Sequence, residues 1–246
     1  YKVNATAVTE LNLLGSLGHT AYRKTGDLYG IILLPASATG ADIEQSRKLL
    51  IDRGAADGAS GSNYYAAWFQ RFDIVEFQNV SMATPVNLNY AFSQMSNLVS
   101  FPAMTFTNTE SLTNTWELNT SMSDFGAIQA PLCSNFFSAW KGTSALTSFP
   151  AGAKLGTSAS NVNFSSAWQS SGLTSFPALD LSTGSNFANS FTSSALTSFP
   201  ADIKMGTAVT GDVQFTDTWR DTTLSSFPAL DLGNGKFFNG AWRDCH

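Results

Sequence analysis

The sequence predicts a repeat solenoid, and three observations carry that prediction. A large aromatic residue returns eight times, at Trp68, Phe92, Trp116, Trp140, Trp168, Phe191, Trp219 and Trp242, and takes up all six tryptophans of the 246-residue chain. Four residues before each stands a second large apolar side chain: Tyr64, Leu88, Leu112, Phe136, Phe164, Phe187, Phe215 and Phe238. After seven of the eight comes an aliphatic residue and, three further on, a Phe, as in Leu173-Thr-Ser-Phe176. The intervals between successive aromatics are 24, 24, 24, 28, 23, 28 and 23 residues, in the range of solenoid coils and too short for an independent domain. One such coil cannot bury its own aromatic pair; a stack of about eight can.

Residues 1–58 lack the repeat and read as an N-terminal cap. Val3–Leu14 and Leu28–Leu34 have the composition of strands, the second a continuous apolar run. Thr39 is placed to cap a helix with Asp42 three residues on, Ile43, Leu49 and Leu50 on its buried side and Gly54 at its end. A solenoid needs such a cap over its terminal coil.

From residue 59 to 246 the coils take over. The spacing of four between the two large side chains predicts a helical turn with both on one face. The L-T-S-F segment predicts a short strand or extended piece entering the core. Pro102, Pro150, Pro177, Pro200 and Pro228 follow the Phe and should end any ladder there, since Pro has no N–H to donate. The aromatics, locked in phase with aliphatic residues, form the core ladder.

A second period is superimposed. Trp140 to Phe191, Trp168 to Trp219 and Phe191 to Trp242 are each 51 residues, so long and short coils alternate. The extra residues of the long coils predict two raised loops, Lys154–Val162 and Lys204–Val213, because length differences within a repeat fall on loops of one face. Lys154, Thr157, Lys204, Thr207 and Asp212 are the candidate ligand-binding residues of that face.

Composition narrows the function. Only 13% of residues are charged, the formal net charge is −5, and Ser, Thr, Asn and Gly abound, which suits a secreted, cell-surface or virion protein. No basic patch points to nucleic acid, and no apolar run approaches the roughly 20 residues that span a membrane. His19 and His246 are the only histidines, so neither a His-centred triad nor a zinc site is expected, and no cofactor or metal is implied. Asp180 and Asp231 take equivalent places in two short coils; turn-capping explains them more simply than a pair of catalytic carboxylates. Cys133 and Cys245 stand four to five coils apart and should not form a disulfide. Asn4, Asn79, Asn119 and Asn163 head glycosylation sequons of the kind such a composition produces by chance. With Tyr as first residue and an unfinished last repeat, the chain reads as a piece of a longer one.

Two resemblances follow from particular stretches. Leu28–Ala55, LYGIILLPASATGADIEQSRKLLIDRGA, resembles the closing strand and helix of concanavalin-like jelly-roll modules of phage tail and other surface proteins, with no lectin site carried over. Leu173–Phe191, LTSFPALDLSTGSNFANSF, and Leu224–Trp242, LSSFPALDLGNGKFFNGAW, are similar to the BspA-like branch of leucine-rich repeats. Phe-Pro stands here for that family's central Leu-Asp. The resemblance implies a leucine-rich-repeat-like architecture and a non-enzymatic adhesive role. The jelly-roll-like segment leading into repeats implies a bacteriophage tail or fibre protein that recognises host-surface polysaccharide or protein, beside other virion proteins and in a homo-oligomer such as a trimer. A bacterial surface adhesin and a purely structural spacer are the alternatives.

Overall fold

In the computed structural model the described residues are 23–24, 27–28, 62–77 and 85–246. The chain divides into two compact units, Tyr1–Ser62 with Val80–Ala83, and Asn63–Asn79 with Thr84–His246. In the first, β1 (Arg23–Lys24) pairs antiparallel with β2 (Asp27–Leu28), Arg23 opposite Leu28. The rest of the strand-and-helix cap expected over residues 1–58 lies outside the described residues.

The second unit is a parallel β-solenoid of about six turns, and its described residues contain no helix. Its strands are β3 (Ser62–Asn63), β4 (Pro85–Asn87), β5 (Ser100–Phe101), β6 (Met104–Thr105), β7 (Asp124–Phe125), β8 (Ile128–Ala130), β9 (Lys154–Leu155), β10 (Val162–Asn163), β11 (Asp180–Leu181), β12 (Gly184–Asn186), β13 (Lys204–Met205), β14 (Val213–Gln214) and β15 (Gly235–Phe237). Each is two or three residues long and pairs with a counterpart in a neighbouring coil. Ser100–Phe101 runs parallel to Asp124–Phe125, β6, β8 and β9 form one sheet, β11 and β13 another, and β10, β12, β14 and β15 a fourth wall.

The strand that reaches a proline ends at the Phe before it, β5 at Phe101 next to Pro102, and a further strand starts beyond the turn, at Met104. The eight aromatic positions, however, do not make eight coils. The solenoid has about six turns, and Trp242, at the last position, is 41% exposed.

The expected helical turn is the larger correction. Around Trp140, alternate N–H groups donate to the next coil: Ser138 to the Ser165 carbonyl at 3.1 Å, Trp140 to Ala167 at 2.8 Å, Gly142 to Gln169 at 2.8 Å. The N–H groups between them turn back on their own chain, Ala139 to the Phe136 carbonyl at 3.1 Å and Lys141 to Ser138 at 3.3 Å. The result is a flat ribbon of consecutive β-turns. In each coil the residues two before and two after the ladder aromatic have positive φ, for example Ser166 at 55° and Ser170 at 55° around Trp168. A left-handed residue at every fourth position breaks the α path and frees half of the N–H groups for the neighbouring coil. It also returns every fourth side chain to the same face, which is why the spacing imitates a helix.

The core is three parallel rows of rings. Trp116, Trp140 and Trp168 stack at 5.4 and 5.5 Å with planes 6° and 4° apart. Phe101, Phe125, Phe149 and Phe176 stack beside them at 5.6 to 5.8 Å, and meet the tryptophans edge-on, as Phe149 does Trp140 at 82°. Phe136, Phe164, Phe187, Phe215 and Phe238 make the third row. Such offset-stacked and edge-to-face contacts are the favourable arrangements of aromatic quadrupoles. Trp68, Phe92, Trp116, Trp140, Trp168, Phe191 and Trp219 are buried as expected. Between Phe191 and Trp219 the row is linked through Phe199, edge-on to both.

Candidate functional site

The two long-coil insertions fall between strands of the same coil. Residues 156–161 join β9 to β10 and residues 206–212 join β13 to β14, whereas only Ser182 and Thr183 join β11 to β12 in the short coil between. Both insertions are fastened to their neighbours. The Ser158 N–H donates to the Pro131 carbonyl at 2.8 Å and the Ala208 N–H to the Ser182 carbonyl at 2.9 Å. The Thr183 hydroxyl donates to the Gly156 carbonyl at 3.0 Å, and the Asn234 amide to the Val209 carbonyl at 2.7 Å.

Lys154 and Lys204 are exposed and lie on equivalent strands, at the loop bases. Asp180 is the register partner of Lys204, as Gln129 is of Lys154. The two lysines are therefore separated along the wall by a carboxylate rather than forming an uninterrupted cationic row. The Ser182 hydroxyl and N–H, with Lys204 alongside, hold the Asp180 carboxyl below its ordinary range against a smaller opposing effect of burial. Thr157 is half-buried; Thr207 and Asp212 are exposed. Asp212 pairs with Lys236 of the next coil at 2.9 Å. The sequence contained the Asp180 signal in its 51-residue period, but not the register that sets it beside Lys204. The Lys236 partnership had no signal at all.

Asp180 and Asp231 accept backbone N–H bonds from the residue two further on, Ser182 at 3.1 Å and Gly233 at 2.9 Å. They are turn caps, as their repetition implied. Among the described residues no three His, Cys, Asp or Glu side chains are grouped to hold a metal ion, and no helix is long and apolar enough to cross a membrane. Both cysteines are free, Cys133 fully buried with its thiol pushed up to about 12 by desolvation. The Asn119 sequon is closed to modification in the fold. Its side chain is buried, accepts from the Met95 N–H at 2.8 Å and donates to the Phe92 carbonyl at 2.9 Å. Asn163 is likewise committed to Ser165 and Asn135. Asn4, Asn79 and His19 lie outside the described residues.

What the geometry defines is a class, a parallel β-solenoid with an aromatic core and strapped side loops. Comparison with protein-family models, curated proteins and solved structures gives no match, so the likeness to BspA-type repeats rests on the residues quoted for it.

Proposed function

We propose that the chain is a non-enzymatic attachment module that binds a bacterial cell surface through the side of its solenoid, as a component of a bacteriophage tail or fibre. The observation that carries this reading is the wall on which Lys154, Asp180 and Lys204 stand exposed between loops strapped to the coils beside them. Preformed groups at fixed spacing bind with little ordering cost, and multimers of such a rod gain avidity without new contacts. The repeat resemblance supports an adhesive role, and the jelly-roll-like stretch supports the phage setting over the bacterial adhesin.

The test is binding of the purified chain to intact cells and to the polysaccharide and protein extracted from them. The double variant Lys154→Glu/Lys204→Glu is expected to lose cell binding while its thermal unfolding stays unchanged. A wild-type chain that binds no plausible host would leave a structural spacer as the reading.

A further inference from the structure

The repeat supplies its own control for telling structural residues from functional ones. Whatever the coil requires recurs in every copy, so an unusual exposed residue in one copy has another cause. Three residues before the ladder aromatic, four coils carry small or polar residues: Ser165, buried, Ala188 and Thr216, half-buried, and Asn239, exposed. Tyr65 and Phe137 occupy the same column, 57% and 40% exposed. Six of the eight repeats have no aromatic at this place.

Tyr90 strengthens the case independently. It is half-buried and stands one column over with φ of 57°, where the other coils have Ala66, Asn114, Ser138, Ser166, Asn189, Asp217 and Gly240. None of those is aromatic, and a bulky aromatic in the left-handed region is a strained choice. Its ring meets that of Tyr65 edge-on at 5.7 Å. Between the Tyr65 and Phe137 positions the column continues with Asn89 and Thr113, half-buried and joined to Ser111 by hydrogen bonds.

We propose that the outer surface of the ribbon in these four coils is a second contact face of the attachment module and binds a neutral, linear glycan along the solenoid axis, with Tyr65, Tyr90 and Phe137 stacking on sugar rings. The proposal rests on the attachment reading above and names its ligand class. Three coil steps at strand spacing place the two ends of the column about 14 Å apart, the span of a short oligosaccharide. Two aromatic positions, the Tyr65–Tyr90 pair and Phe137, with an amide and a hydroxyl between them match a ligand whose rings have apolar faces and whose edges carry hydroxyls. A protein partner would favour a continuous apolar centre. Neutrality fits the column itself, whose members Tyr65, Asn89, Thr113 and Phe137 carry no charge.

The substitutions that test this come from the repeat itself: Tyr65→Asn, Tyr90→Asn and Phe137→Thr place residues that other coils already tolerate. Affinity electrophoresis of the full chain, in gels containing neutral mannan, neutral glucan or extracted surface polysaccharide, is expected to show retardation by at least one of them. The triple variant should bind about tenfold more weakly or worse, with unchanged thermal unfolding. Glycan binding unaffected by the triple variant overturns the proposal. So does a wild-type chain that holds to cells through a protease-sensitive receptor and is retarded by no glycan, an outcome that leaves the attachment reading standing. Cell binding untouched by the lysine variant but lost in the triple variant does the reverse: it removes the lysine wall and keeps this face.

Discussion

At the scale of single residues, the ladder tryptophans and the buried thiol make the sharpest predictions. Trp168 is fully buried, stacked between Trp140 and Phe191 and met edge-on by Phe149 and Phe176. Trp168→Ala removes contacts on every side, in a stack whose rungs are held by backbone bonds and cannot close the gap. A loss of about 3–5 kcal/mol is expected, read from chemical denaturation. Cys133 should resist thiol reagents in the folded protein while Cys245, half-buried, reacts, and labelling followed by mass spectrometry distinguishes them. The raised thiol pKa also fixes a pH effect. The folded state retains the Cys133 proton from the ordinary value of 9.0 up to about 12 while the unfolded chain loses it. This contribution is therefore complete below pH 9 and declines between those values. Cys133→Ala should flatten the stability profile across that window, measured by denaturation at stepped pH.

At the scale of the element, the turn ribbon depends on its left-handed columns. Ser193 is exposed with φ of 56°, so Ser193→Gly should raise stability by about 1 kcal/mol, and Ser193→Val should lower it by at least as much. If both changes were neutral in thermal unfolding, the ribbon geometry would be wrong. These columns were legible only in part. Asn114, Asn189, Asp217 and Gly240 are residue types that tolerate positive φ, whereas Ala66, Tyr90, Gln94 and Leu118 take it without that preference. The four-residue spacing alone could not separate this ribbon from a helix, because both return every fourth side chain to one face. Only the residue types between the large side chains carried the difference. Gly126 shows the same limit: in place of the usual Pro, it lies where any Cβ would collide with the Ala103 backbone.

At the scale of the whole molecule, stability should be close to a sum over coils and their interfaces. The 51-residue spacing from Trp168 to Trp219 allows a direct test. Deletion of residues 168–218 joins Ala167 to Trp219 at equivalent points of the pattern. The shortened chain should fold cooperatively with its β content per residue retained and its unfolding enthalpy reduced in proportion, measured by circular dichroism and calorimetry. Hydrogen exchange should be fastest in the last rung, where the Trp242 ring is covered on one side only, and slowest around Trp140 and Trp168.

The sequence by itself determined the repeat, the residues of the core rows, the alternation of long and short coils and the places of the inserted loops. All of these are consequences of period and apolarity, which are local and recur. It did not determine the backbone path between the large side chains, the number of complete turns, or which charges meet across coils. Those depend on hydrogen bonds from one coil to the next, 23 to 28 residues away. The register that sets Asp180 against Lys204, and the exposure of Tyr65 and Phe137, exist only once the coils are stacked.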